Sequence, residues 1–159
     1  MANIFEPDWV ERGQPPLLGR AARVGAHAGA ERLGATLYEI DPAGCGSPSH
    51  LHHGNEEMII VLSGRPTLRT LTGTRELEPG EVVACPTGRR GAHQLQNNSS
   101  EPVRVLVVST MVYPDVAEQL DSDKLLVYSD APGASDRIAL AFPRSAQVDR
   151  LAGELRPST

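Results

Sequence analysis

Between residues 32 and 110, short apolar runs alternate with turn residues throughout. The runs are "RLGATLYEI" (32–40), "EMIIVLSG" (57–64), "PTLRTLT" (66–72), "EVVAC" (81–85), "HQLQN" (93–97) and "VRVLVVST" (103–110). Between them lie "DPAGCGSPS" (41–49), Thr72–Gly73–Thr74, Pro79–Gly80, "PTGRRGA" (86–92) and "NSSEP" (98–102). Glycine and proline punctuate the chain too often for long helices, whereas each run has the length of one strand. Many short strands at regular spacing predict an all-β sandwich or barrel. The spacing predicts an N-terminal arm over 1–31, a β-barrel over 32–113 and a C-terminal extension over 114–159. Trp9, the single tryptophan, is expected to pack the arm down. In the extension, "DVAEQL" (115–120) reads as a helical turn or two, and "KLLVYS" (124–129) and "RIALAF" (137–142) as further strands.

Composition narrows the function classes. The net charge is −5, and 14 arginines with one lysine are spread thinly, so no basic stripe for nucleic acid is present. No apolar run approaches a membrane span, and the N-terminus has no basic start followed by an apolar segment. Cys45 and Cys85 form no CxxC pair, which favours a reducing compartment. A soluble, cytoplasmic protein with neither nucleic-acid nor membrane partners is expected.

The chain has five histidines, and three fall in "HLHHGNEE" (50–57). His50 and His52 are two apart, so on a strand both imidazoles point to one face. Such a pair can share one ion, and a carboxylate from a neighbouring strand would complete a set suited to non-haem iron and related metals. An HxH pair alone is weak, since exposed loop histidines are common. Its surroundings are more specific. Five residues separate Gly44 from His50, four separate His52 from Glu57, and six separate Glu57 from Gly64. Downstream, Gly80, Pro86, Gly88, His93 and Asn97 form a second spaced set.

These two motifs resemble those of the cupin superfamily. One departure occurs: four residues, Arg89 to Ala92, separate Gly88 from His93 where the family has two. The resemblance implies a cupin-type double-stranded β-barrel, or jelly roll, as a single domain with short flanking arms. It implies four metal ligands, His50, His52, Glu57 and His93, around one divalent first-row transition ion: iron, manganese, nickel, zinc or copper. It also implies a homodimer.

Competing residues have plainer readings. His53 should face away from His52, and Glu56 should be solvated, because alternation from Glu57 sends Ile59 and Val61 inward. Asn97 is expected to hold a turn and Cys85 to pack as a small hydrophobe. His27 has no sequence partner. Tyr38 and Arg69 are the polar or aromatic candidates for substrate contact. The family hosts dioxygenases, decarboxylases, lyases and isomerases acting on small molecules, and the fold alone does not choose among them. A non-catalytic small-molecule binding or sensing protein is the alternative.

Overall fold

A computed structural model describes residues 2–154. Among the described residues there are thirteen strands: β1 (Val10–Gln14), β2 (Leu17–Ala22), β3 (Gly34–Ile40), β4 (His50–His52), β5 (Glu57–Ser63), β6 (Thr67–Thr70), β7 (Gly73–Glu76), β8 (Val82–Cys85), β9 (His93–Gln96), β10 (Val103–Ser109), β11 (Asp115–Gln119), β12 (Lys124–Tyr128) and β13 (Ala139–Pro143). One short helix, α1 (Val24–His27), precedes β3. The strands form two antiparallel sheets, ordered β1-β2-β3-β10-β5-β8 and β13-β12-β11-β4-β9-β6-β7. This is the all-β architecture that the turn spacing predicts and the jelly roll that the resemblance implies.

Period-two alternation builds the core. On β5, Ile59 and Val61 are fully buried while Met58 is exposed. They meet Ile40, Val103 and Val105 of their own sheet and Leu68 and Leu95 of the opposite one. Gly64 ends β5 at φ +76°, and a Cβ there would meet the Val103 side chain at 2.6 Å. Only glycine accepts both that backbone and that contact.

The other face of the first sheet is also covered. Leu37 packs with Ala22 and Val24, and Trp9, Leu62 and Leu106 lie against them. The turn-rich first 31 residues thus contribute β1 and β2, paired in register onto β3 (Ala21 opposite Tyr38). Trp9 stacks under Arg20, 4.6 Å from its guanidinium.

One expectation is corrected. "DVAEQL" is not helical: it forms β11, antiparallel to β4 on one side and β12 on the other. Alanine, glutamate and glutamine favour helix locally, but pairing on two sides satisfies the backbone and turns Asp115 and Ala117 inward. A smaller difference is β7, an exposed strand beginning at Gly73, where the sequence suggests a turn. The expected strands in "KLLVYS" and "RIALAF" appear as β12 and β13. No helix among the described residues is long and apolar enough to cross a membrane.

Candidate metal centre

Strand parity brings the candidate ligands together. His50 and His52 leave β4 on its inward face, while Leu51 between them is fully buried on the other. Glu57 opens β5 on the same side as Ile59 and Val61. His93 opens β9 directly opposite His50. His50, His52 and Glu57 place their ligand atoms within 4.8 Å of one another. Their Nε2 atoms approach Glu57 Oε2 to 3.5 Å (His50) and 3.7 Å (His52). His93 lies outside that mutual set, yet its Nε2 is 3.4 Å from the same oxygen.

The far side of each ring fixes its proton. His50 Nδ1 lies 2.9 Å from the Pro48 carbonyl oxygen, and His93 Nδ1 lies 2.8 Å from that of Gly91. A carbonyl only accepts, so each Nδ1 donates and each Nε2 keeps its lone pair when the ring is neutral. His52 Nδ1 donates to Asp115 Oδ2 at 2.5 Å, and Gly54 N–H donates to Asp115 Oδ1 at 2.8 Å. Asp115 is thus a buried carboxylate whose task is to orient His52, the usual partner of a metal-bound imidazole.

Three lone pairs therefore face one carboxylate oxygen. Glu57 Oε2 is buried and has no hydrogen-bond partner among the described residues. A buried anion without a donor is costly, and a cation at the focus would relieve it. Ligand atoms about 2.0–2.2 Å from one ion sit about 3–3.5 Å apart, close to the separations found. The residues present fit a divalent metal.

Without an ion, the charges compensate one another. Burial pushes Glu57 up, but the His50 contact and the neighbouring imidazoles hold its carboxyl below the ordinary range. Burial pushes His52 down, but its bond to Asp115 together with the charges of Glu57 and Asp115 more than offsets this and raises it. Burial and the nearby His50 hold His93 low.

The site opens into a cavity of about 430 Å³, lined on the ligand side by His50, His52 and Glu57 and elsewhere by Tyr38, Tyr113 and Tyr128. A pocket of about 60 Å³ next to it reaches His93 and shares Tyr38, His50 and Glu57. Tyr38 therefore lines both pockets. Burial raises its pKa, so the phenol keeps its proton. Arg69 does not line the cavity. Leu68 takes the inward position on β6, and Arg69 forms a bidentate pair with Asp121 at 2.7 and 2.8 Å.

The plainer readings also have their places. His53 is half-exposed and bonds Glu118 at 2.8 Å, and Glu56 is exposed. Asn97 is fully buried; its Nδ2 donates to Ile40 and Glu101 carbonyls, each at 2.8 Å, which holds the turn after β9. Cys85 lies in the core, and burial pushes its thiol up to about 12. His27 is half-exposed beside Asp8. Asp115, Tyr113 and Tyr128 were not legible as site residues. They reach the cavity through β11, β12 and the segment before β11, more than 50 residues from the histidine motif.

Residues 36–109 match a family model described as Cupin domain. No curated protein matches the chain. A provisionally named sugar phosphate isomerase from Acidithiobacillus ferrooxidans is 26% identical, with a TM-score of 0.74 over 89% of this chain and 86% of its own. A sugar phosphate isomerase of the cupin superfamily from Silicibacter pomeroyi is 22% identical, with a TM-score of 0.77 over 92% and 94%. The polyketide cyclase RemF from Streptomyces resistomycificus is 22% identical, with a TM-score of 0.58 over 86% and 87%. At these last two identities the likeness is one of fold. With both motifs and the jelly roll in place, the match over 36–109 supports a cupin domain in this chain.

Proposed function

We propose that this protein is a metal-dependent cupin enzyme that transforms a small organic molecule by isomerase-type proton transfer. The observation that carries the reading is the convergence of three imidazole Nε2 atoms on the buried, unpartnered Oε2 of Glu57 at the floor of an open cavity. Within this reading His50, His52, Glu57 and His93 hold one divalent first-row ion. When bound, such an ion supplies Lewis-acid polarisation of a substrate oxygen. The chain's own residues do the rest. Asp115 and the Pro48 and Gly91 carbonyls fix the imidazoles. Tyr38 keeps a proton on its phenol oxygen beside Glu57 and can donate a hydrogen bond to a substrate oxygen. The name of the Acidithiobacillus relative favours isomerase chemistry over oxygenation.

The test begins with elemental analysis of untagged protein beside a His50→Ala, His52→Ala variant. Near-stoichiometric metal that disappears in the variant is expected. Metal-loaded protein is then incubated in deuterium oxide with small aldoses and ketoses and their phosphates. Carbon-bound deuterium supports proton transfer. Oxygen consumption instead would replace isomerisation with oxygenation. Tight binding without turnover would favour the sensing alternative, and no metal after reconstitution would end the metal reading.

A homodimer belongs to the same reading. Leu140 and Phe142 are exposed on the edge strand β13, a surface suited to a second copy. Sedimentation at a single monomer mass would overturn it.

A further inference from the structure

The cavity has a second chemical feature away from the histidines. Its two carboxylates are already engaged: Glu57 faces the three imidazoles, and Asp115 accepts from His52 and Gly54. Two arginines, Arg23 and Arg137, also line it. They arrive from different sheets. Arg23 follows β2 and sits near enough to Tyr38 to act on its phenol, whereas Arg137 precedes β13 and acts on Tyr113. Arg20, Arg65, Arg69, Arg75, Arg104 and Arg144 are each paired with a carboxylate. Among the described residues, neither Arg23 nor Arg137 has such a pair. Arg137 is instead held in place: Nε donates to the Asp130 carbonyl oxygen at 3.0 Å, and its guanidinium lies 4.6 Å over the Tyr128 ring. The Asp130 carboxylate accepts from Ala131 N–H at 2.6 Å.

We infer that Arg23 and Arg137 form an anion clamp that selects a phosphorylated small molecule. This rests on the metal-site reading, since it places the anionic group at the arginine end of a ligand whose other end reaches His50, His52 and Glu57. Two guanidiniums with no carboxylate paired directly to them match a dianion. They reach the cavity from different sheets, so a ligand that presents oxygens in more than one plane suits them better than a planar carboxylate. A phosphate monoester is nearly dianionic and offers three oxygens in a tetrahedral array, one edge for each fork. The cavity volume lies within the range that encloses a small ligand.

The probes are 2-phosphoglycolate, glycolate and malonate, measured by calorimetry on manganese-loaded and metal-free protein. Wild type is expected to bind 2-phosphoglycolate at least about tenfold tighter than either other acid, since a charge-assisted hydrogen bond is worth about one decade. An Arg23→Gln, Arg137→Gln variant is expected to lose that preference, and an Arg23→Lys, Arg137→Lys variant to keep part of it. Equal binding of the three acids by wild type overturns the clamp, and this comparison needs no variant to fold. A preference unchanged in the glutamine variant also overturns it, and malonate binding as tightly as 2-phosphoglycolate overturns the phosphate assignment. Manganese titration of the same samples separates the two readings. A phosphate preference without manganese binding removes the metal site alone. Manganese binding without the preference removes the clamp alone.

Discussion

At the scale of single residues, the histidines were legible because a strand has period two and a ligand pair needs one face. His50 and His52 satisfy that rule within three residues of sequence. Their orienting partners follow no such rule. Pro48 and Gly91 act through backbone carbonyls, which any residue carries, and Asp115 is 63 residues from His52. Asp115 is also the residue most open to test. Asp115→Asn keeps the size of the side chain but removes the charge that holds the His52 ring. Manganese affinity should fall about 10–100-fold, as for other orienting partners of metal-bound histidine, while the circular dichroism spectrum stays unchanged. Calorimetric titration measures it. Wild-type affinity in the variant would mean that β4 alone orients His52. Arg69 teaches the converse lesson: its residue type suggested substrate contact, but its place on β6 beside inward Leu68 decided that it faces Asp121.

At the scale of elements, the loop between Gly88 and His93 absorbs two more residues than the family pattern. It does so by a single 3-10 turn over Arg89–Gly91, after which His93 starts β9 in register with His50. Gly91 is pressed against the preceding chain. A Cβ there would lie 1.7 Å from the Pro86 carbonyl oxygen and 2.8 Å from the Cys85 carbonyl carbon, both backbone atoms. Its own carbonyl holds His93 Nδ1. Gly91→Ala must therefore move the loop and take His93 with it. The expected result is a loss of about 1–3 kcal/mol in urea unfolding, together with weaker manganese binding. Full metal affinity in the variant would show that His93 is placed by β9 alone. β11 is the element the sequence misled on, because helix-favouring residues lie in a segment whose two strand partners are decided elsewhere in the chain.

At the scale of the molecule, the N-terminal strands are tied to the rest by Glu39 on β3. Arg20 Nε of β2 donates to Glu39 Oε1 at 2.7 Å, and Arg104 Nε of β10 donates to Oε2 at 2.5 Å. Burial pushes Glu39 up, but the two guanidiniums more than offset it and hold the carboxyl below the ordinary range. A depressed native pKa contributes stability that is full above the unfolded value, about 4.3, and is lost as pH falls through the native value. Wild type should therefore exceed Glu39→Gln in urea midpoint by a constant gap between about pH 6 and 8. The gap should close as pH falls below the ordinary glutamate range. A gap that persists in strong acid would mean that the substitution acts through packing rather than charge.

The sequence by itself determined the all-β class, most of the strands, the inward parity of β5 and the histidine motif. Each follows from local rules: turn residues end strands, and alternate residues share a face. Only the tertiary structure decided that 115–120 is a strand and that Asp115 backs His52. It likewise decided that Arg69 faces outward, and that Arg23 and Arg137 line the same cavity as the histidines. Those facts depend on which strands become neighbours across the two sheets. Neighbours of that kind are chosen by burial of the whole core, which no window of the sequence contains.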